Sequence, residues 1–289
     1  MQPILAGVLA ALNIFACTPE WAALAQEIGG ERVSVASATS ALQDPHHIEA
    51  RPSLIARARR ADLVFCNGAE LEAGWLPLVL AQSGNPAIQP GQRGYFVAAS
   101  AARLIEIPGR ANRAMGDVHA AGNPRLHLDP RNVALVAKAF AARLAALDAQ
   151  GAAHYSGREA AFQKRWAEAS ARWEREAKPL QGLPLVVHHK NFSYLIAWLG
   201  MREVGALEPK PGLPPSAAHL SALLASLKRT PAKAVVRAAY NDPRAADWLG
   251  QQAGLPSVSL AYTVGGSAGA TDLFGLYDDT IARLLAVAR

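Results

Sequence analysis

The sequence predicts an α/β protein of two (βα)4-type lobes with parallel sheets, joined by one long linker helix. Short apolar runs alternate with longer segments of helical periodicity in both halves of the chain. Between the halves lies one amphipathic segment of about 22 residues, roughly 33 Å long as a helix. With 289 residues, 51% of them hydrophobic, the chain is long enough to bury a large core.

The first half contains short apolar runs that are bounded by turn residues and followed by helical periodicity, which predicts strands. The predicted strands are Leu12–Ala16, Val33–Ser37 and Asp62–Cys66, with further candidates at Tyr95–Ala98 and Leu104–Ile107. Helices are predicted at Pro19–Ile28, from Pro52, at Leu71–Ala81 and, after an Asp-Pro pair typical of a helix start, from Asp129 to Leu147. Residues 108–124 are rich in Gly, Asn and Pro and are predicted to form a long loop.

The segment between the halves is predicted to be a helix that spans the two lobes. Ser156-Gly-Arg-Glu159 matches a capping box and predicts the start of this helix. Apolar residues then recur every three or four positions, and Pro179 ends the pattern. The chain is therefore divided into an N-terminal lobe at 12–150, a linker at 151–180 and a C-terminal lobe at 181–289.

The second half repeats the alternation of the first, without a repeat in the residues themselves. Its predicted strands are Leu185–Val187, Glu203–Ala206, Ala234–Arg237 and Ser257–Leu260. Its predicted helices are Asn191–Leu199, Ala217–Lys228, Asp242–Ala253 and Asp272–Val287.

The charge distribution argues against a nucleic-acid partner. The net charge is +6, but Lys and Arg are scattered, and the longest basic cluster is Arg57–Arg60. No stretch approaches the ~20 apolar residues that span a bilayer. The apolar segment Met1–Ala11 is interpreted either as a truncated or atypical signal peptide or as a tail leading into the first strand.

The two cysteines, Cys17 and Cys66, each follow or end a predicted strand of the first half. These strands are expected to be neighbours in one parallel sheet, so the two side chains should lie close together. Two alternatives stay open: one disulfide between them in an exported protein, or two buried thiols.

Potential metal ligands lie at the ends of strands and helices in both halves, where ligands bind in open α/β sheets. They are His46 and His47 after an Asp-Pro turn, His119 and His127 in the long loop region, His188 and His189 after a strand, and Asp272 before the last helix. Taken singly, a histidine pair in a loop is more often solvated, and an Asp at a helix start is usually an N-cap. Adjacent residues in extended chain point in opposite directions, so only one of His188 and His189 faces a given site. Three imidazoles and one carboxylate suit Zn²⁺, whereas Mn²⁺ favours more oxygen ligands.

Several motifs resemble the zinc/manganese-specific periplasmic metal-binding receptors of ABC transporters, and the zinc-specific type in particular. The matching motifs are Asp44-Pro-His-His-Ile-Glu49, Ala61-Asp-Leu-Val-Phe-Cys-Asn-Gly68, Asn123-Pro-Arg-Leu-His-Leu-Asp-Pro130, His189-Lys-Asn-Phe-Ser-Tyr194 and Asp272-Leu-Phe-Gly-Leu-Tyr277. The resemblance implies two four-stranded lobes with the metal in the cleft between them. It implies His46, His189 and Asp272 as ligands, with one more from the region 119–127.

The same resemblance implies a periplasmic protein that is not an enzyme. It would capture Zn²⁺, or less readily Mn²⁺, as a monomer and deliver it to a membrane permease. A periplasmic zinc chaperone is a further potential partner.

The second histidine ligand is the position at which this chain departs from the family. The family usually has His where this chain has Arg125, and a guanidinium does not coordinate zinc. Residues two apart in extended chain face the same side, which predicts His127 as the substitute ligand. His119, in the Gly-rich part of the loop, is the alternative or auxiliary ligand.

Two other functional classes compete with a zinc receptor. A zinc hydrolase would need an open coordination position and a general base, for which Glu49 is the candidate, but the chain has no His-Glu-x-x-His motif. A sugar- or nucleotide-binding α/β protein would be expected to have a glycine-rich phosphate loop, which this sequence lacks. A manganese receptor is the alternative within the same family.

Overall fold

The computed structural model describes residues 11–109 and 119–289, and two parallel four-stranded sheets lie within them. Most of the segment Met1–Ala11, interpreted above as a signal peptide or a tail, and part of the predicted loop at 108–124 lie outside the described residues. Among the helices of the described residues, none has both the length and the apolar character needed to cross a membrane.

The first sheet has the order β2-β1-β3-β4. Its strands are β1 (Leu12–Ala16), β2 (Val33–Ser37), β3 (Leu63–Cys66) and β4 (Tyr95–Val97). The helices of this half are α1 (Pro19–Gly29), α2 (Pro52–Arg59), α3 (Leu76–Ser83) and α4 (Pro130–Leu147). The side chain of Asp129 caps α4 by accepting a hydrogen bond from the Arg131 N–H, which confirms the predicted helix start.

The second sheet has the order β6-β5-β7-β8, the same as the first. Its strands are β5 (Pro184–Val187), β6 (Arg202–Ala206), β7 (Ala234–Ala238) and β8 (Ser257–Leu260). Its helices are α6 (Ser193–Leu199), α7 (Ala217–Leu227), α8 (Arg244–Ala253) and α9 (Leu273–Ala288). In each sheet the second strand lies on one side of the first strand, and the third strand lies on the other side. This switch creates a crevice at the carboxyl ends of the central strands.

One helix of 25 residues, α5 (Ala152–Glu176), follows the first sheet and precedes the second. Its buried residues recur at the predicted spacing and include Phe162, Trp166 and Trp173. It packs against α1 and α4 of the first half and against α9 of the second. A single apolar cluster runs through both halves, from β1 and β3 through Trp166 to β5 and β7. The predicted two-sheet α/β class with a long connecting helix is confirmed.

Several predicted elements begin at a different residue in the structure or do not form. Helix α5 begins at Ala152 rather than at Ser156, because Asp148 caps a short 3-10 turn that leads directly into it. Residues Leu104–Ile107 form no strand, because the Ile105 backbone bonds to Asn123 and to the hydroxyl of Tyr194. Helix α8 begins two residues beyond Asp242, which accepts a hydrogen bond from the Arg244 N–H but is not its N-cap.

Helix α3 also begins later than predicted, at Leu76 rather than Leu71. Ala69 and Glu70 have positive φ angles, so the chain turns before the helix starts. The carboxylate of Glu72 stabilises this turn by accepting hydrogen bonds from the N–H groups of Asn67 and Gly68.

Cys17 and Cys66 lie at the carboxyl ends of the paired strands β1 and β3, as expected, and form a disulfide with a Cα–Cα distance of 4.7 Å. The sequence left open whether they were bonded. Potential ligand atoms of these cysteines and of Glu72 lie within 4.8 Å of one another, but both sulfurs are used in the disulfide.

Candidate metal centre

His46 lies in the loop after β2, and its ring is oriented by the aspartate two residues before it. The Asp44 Oδ1 atom accepts hydrogen bonds from the backbone N–H of His46 and from its Nδ1, at 3.0 and 2.7 Å. The Trp75 indole N–H binds the carbonyl oxygen of Pro45 at 2.9 Å and so anchors the loop. Because Nδ1 carries the proton, Nε2 presents a lone pair to the cleft.

His189 follows β5 and has the same arrangement with a different carboxylate. Its Nδ1 lies 2.6 Å from Oε2 of Glu208, which also accepts a hydrogen bond from the Gly212 N–H. The Nε2 atom of His189 therefore also presents a lone pair. The His46 and His189 rings are 6.3 Å apart between centroids, so residues from the two halves meet at one site.

His188 faces away from this site, as predicted for the neighbour of His189. Its Nε2 lies 3.9 Å from the other oxygen of Glu208, and its side chain lines a separate cleft of about 500 Å³. A smaller cavity of about 110 Å³ adjoins the site and is lined in part by His46, His189 and Tyr240.

His119 is the third imidazole of the site. Its Nε2 lies 3.3 Å from Nε2 of His46, and the two rings are stacked with centroids 5.4 Å apart. Two bonds position this part of the loop: Ala120 N–H donates to Glu70, and the Gly122 N–H donates to the carbonyl of His119.

Arg125 lies between the two carboxylate-bound histidines, and its side chain is buried, with 2% of the residue exposed. Its Nη2 donates to Nε2 of His46 at 3.1 Å and to Nε2 of His189 at 2.7 Å. The Arg125 N–H binds Oδ1 of Asn123, whose carbonyl accepts a hydrogen bond from the Tyr194 hydroxyl. The guanidinium thus uses one lone pair on each of the two imidazoles.

His127, predicted as the second ligand, is fully buried away from these imidazoles. Its Nε2 lies 2.8 Å from the carbonyl oxygen of Tyr262, and its Nδ1 lies 3.5 Å from Glu20. The prediction assumed extended chain, in which residues 125 and 127 share a side. Instead, Leu126–Leu128 is a 3-10 turn, so the alternation of an extended strand does not apply.

Asp272 and Glu49, the predicted carboxylate ligand and the candidate base, are both exposed. Asp272 is the N-cap of α9, and its Oδ1 accepts a hydrogen bond from the Gly275 N–H at 2.7 Å. Among the contacts within residues 11–109 and 119–289, none joins Asp272 or the Glu49 side chain to the three imidazoles.

The electrostatics of the site favour the neutral forms of His46 and His119. Burial lowers the pKa of His46 despite its hydrogen bond to Asp44, and the positive charge of Arg125 acts in the same direction as burial. Burial, together with Arg125 and the neighbouring imidazoles, lowers the pKa of His119 to about 3. Although burial alone would raise it, the hydrogen bonds from His46 lower the pKa of Asp44 to about 2. Neutral imidazole is the form that coordinates metals.

Three residues that shape this site were not assigned to it from the sequence. Glu208 follows the end of β6 by two residues, so the rule that ligand groups lie at strand ends would have included it. Asp44 was interpreted as a turn residue, although it also orients His46. Arg125 was considered only as a missing ligand, and no pattern in the sequence placed its guanidinium between two imidazoles.

The model of the family described as zinc-uptake complex component A, periplasmic, matches residues 14–286 of the chain. The chain belongs to this family. The relationship suggested by the motifs is therefore confirmed.

Two relatives show the level of sequence similarity. The manganese ABC transporter substrate-binding lipoprotein PsaA of Streptococcus pneumoniae is 23% identical over 249 residues, which are 83% of this chain and 76% of that protein. The metal ABC transporter substrate-binding lipoprotein ScbA of Streptococcus cristatus is 27% identical over 112 residues, 38% of this chain and 35% of that protein.

Solved structures resemble the whole fold. The crystal structure of ZnuA has a TM-score of 0.75 at 21% identity and covers 95% of this chain and 99% of that one. The Mn-bound periplasmic metal binding protein from Candidatus Liberibacter asiaticus has a TM-score of 0.77 at 14% identity and covers 96% and 100%. At these sequence identities the comparison shows that the chain has the same architecture as these proteins.

Proposed function

We propose that this protein captures Zn²⁺ in the periplasm and delivers it to the membrane permease of an ABC transporter. The observation that carries this proposal is the distance of 3.3 Å between Nε2 of His46 and Nε2 of His119. In a tetrahedral zinc site with Zn–N bonds of about 2.0–2.1 Å, two ligand nitrogens lie about 3.3 Å apart. These two imidazoles are therefore already spaced as a zinc ion requires.

The ligand set in this proposal is His46, His119 and His189, with His119 in place of His127. The carboxylates of Asp44 and Glu208 bind Nδ1 of His46 and His189, an arrangement typical of metal-ligating histidines. A fourth position is left for water or for Asp272. The lobes proposed to enclose the site are 12–150 and 181–289, joined by the linker 151–180.

Zinc is favoured over manganese by the chemistry of the donors. Three imidazole nitrogens suit Zn²⁺, whereas Mn²⁺ favours more oxygen ligands. PsaA, the relative from Streptococcus pneumoniae, is named for manganese, so Mn²⁺ is the second candidate. With either metal, the protein would act as a monomeric receptor that supplies a permease. A periplasmic zinc chaperone is a further potential partner. Nucleic acid is not a proposed partner.

Titration of chelator-stripped protein with Zn²⁺, and separately with Mn²⁺, tests the proposal. We expect saturation at one zinc per chain and a rise in melting temperature, since ligand at about 1,000 times its dissociation constant adds ~4 kcal/mol. The His119→Ala variant should bind zinc more weakly. His219→Ala is the matched control, because His219 bonds to the Ala206 carbonyl, outside the cluster. Absence of zinc binding by the parent would overturn the proposal, and preferential stabilisation by Mn²⁺ would change the cargo.

A further inference from the structure

The centre of the proposed zinc site contains a cation that belongs to the chain itself. The Nη2 atom of Arg125 lies 3.1 Å from Nε2 of His46 and 2.7 Å from Nε2 of His189. These are two of the three nitrogens assigned to the metal above. A lone pair that accepts this N–H bond is unavailable to a metal ion, so guanidinium and metal compete for the same atoms.

The charges around Arg125 show why a guanidinium is stable there. Its charge is permanent, and burial of an uncompensated charge is costly. The negative charges of Asp44 and Glu208 lie on the far side of the imidazoles, each bound to an Nδ1 atom. A chain of hydrogen bonds thus runs from one carboxylate through His46, Arg125 and His189 to the other. The two carboxylates that would support a bound metal compensate the guanidinium instead.

The hydrogen bonding of Arg125 is nevertheless incomplete. Its Nε is buried and has no hydrogen-bond partner among the described residues. No carboxylate of the described residues forms a direct ion pair with its guanidinium. Arg125 is therefore held mainly by the two imidazoles, and these are the contacts that metal binding would break.

We infer that Arg125 is a resident cation that sets the metal affinity of this receptor. Zinc coordinates His46 and His189 only after the guanidinium has left both Nε2 atoms, and the positive charge that remains nearby further disfavours a divalent cation. The inference rests on the zinc-capture function proposed above. It makes Arg125 an affinity-determining residue that weakens binding, although it occupies the position where the family usually has a ligand.

The test compares zinc dissociation constants of the parent and of variants in competition with a chromogenic chelator. Arg125→Leu removes both the charge and the hydrogen bonds, and we expect it to bind zinc at least about tenfold more tightly than the parent. Arg125→Gln keeps a donor without the charge, and it should also bind more tightly. It serves as the second variant if Arg125→Leu does not fold. Arg131→Leu is the matched control, because this exposed arginine pairs with Asp129 and its loss changes the net charge equally.

A measurement without metal accompanies the titration. The ¹⁵N chemical shifts of the histidine Nε2 atoms should change in metal-free Arg125→Leu, because two of these nitrogens lose their N–H donor. Equal or weaker zinc binding by the Arg125 variants would overturn the inference while leaving zinc capture in place. Absence of zinc binding by the parent and by both Arg125 variants would overturn the proposed function itself. Tight binding by the variants and none by the parent would support the inference and reject zinc as the cargo of the parent.

Discussion

The Nε2 atom of His127 lies 2.8 Å from the carbonyl oxygen of Tyr262 and thereby joins the start of α4 to the loop after β8. A second bond acts in parallel, since the Tyr277 hydroxyl donates to the carbonyl of His127 at 2.6 Å. Glu20, whose carboxylate accepts a hydrogen bond from Thr263, approaches the other ring nitrogen. His127 therefore connects the two halves of the protein within its interior.

His127→Ala should destabilise the protein without weakening zinc binding. Loss of the imidazole leaves a cavity and an unpaired buried carbonyl, so we expect the free energy of unfolding of the metal-free protein to fall by about 2–4 kcal/mol. The zinc dissociation constant should stay within about threefold, which is under 1 kcal/mol. Urea denaturation and chelator competition measure the two quantities. A large loss of zinc affinity at unchanged stability would restore His127 as a ligand.

Asp272 can be tested with a substitution that separates capping from coordination. Asparagine is as good an N-cap as aspartate but lacks the charge, whereas alanine loses the cap. We expect Asp272→Asn to bind zinc like the parent, and Asp272→Ala to lose about 1 kcal/mol of stability with the same zinc affinity. Weaker zinc binding by Asp272→Asn would instead identify Asp272 as the fourth ligand.

Glu208→Gln should weaken zinc binding although Glu208 is not itself assigned as a ligand. Its carboxylate fixes the proton of His189 on Nδ1, and loss of such a partner typically costs about 10- to 100-fold in metal affinity. Competition titration measures the change. Glu168→Gln, on the exposed face of α5, removes the same charge as a control. Equal affinities for the two variants would show that the bond between Glu208 and His189 does not support the site.

Glu72 should make the stability of the protein depend on pH. Burial raises its pKa from 4.5 to about 7, although its carboxylate accepts hydrogen bonds from two backbone N–H groups. Between these pH values the folded state binds more protons at this residue than the unfolded state, so stability falls as the pH rises. Below pH 4.5 and above about pH 7, Glu72 does not contribute to the pH dependence of stability.

The comparison of the parent with Glu72→Gln isolates this contribution. The free energy of unfolding of the parent minus that of the variant should fall by about 3 kcal/mol from pH 4.5 to 7. Urea denaturation at a series of pH values measures it, and Glu168→Gln again controls for loss of a charge. A difference that does not change with pH would mean that the pKa of Glu72 is the same in the folded and unfolded states.

The sequence predicted best those elements whose determinants are local. The Asp129-Pro130 start of α4 is an example, because cap and first helical residue are adjacent in the chain. Leu104–Ile107 has the pattern of a strand, but its backbone bonds to Asn123 and Tyr194, and no local pattern reports such distant partners. The start of α5 was predicted too late, because Asp148 lies before the window in which a capping box was recognised.

In the candidate site, too, local features could be predicted from the sequence and contacts between distant residues could not. The sequence predicted that His46 and His189 share one site because both follow strands, and the structure brings the two rings together. The role of Glu208 was not predicted, because it acts on a residue 19 positions away. The choice between His119 and His127 depended on the backbone between Arg125 and His127, where a 3-10 turn replaced the assumed extended chain.

The apolar cluster that passes from the first sheet through α5 to the second has a consequence for how the protein unfolds. Each half supplies part of the surface against which the other is buried, so neither half retains a complete interior when separated. Calorimetry should accordingly record one heat-absorption peak rather than two. Fragments cut between α5 and β5 should be insoluble alone, and they should recover native structure only when mixed.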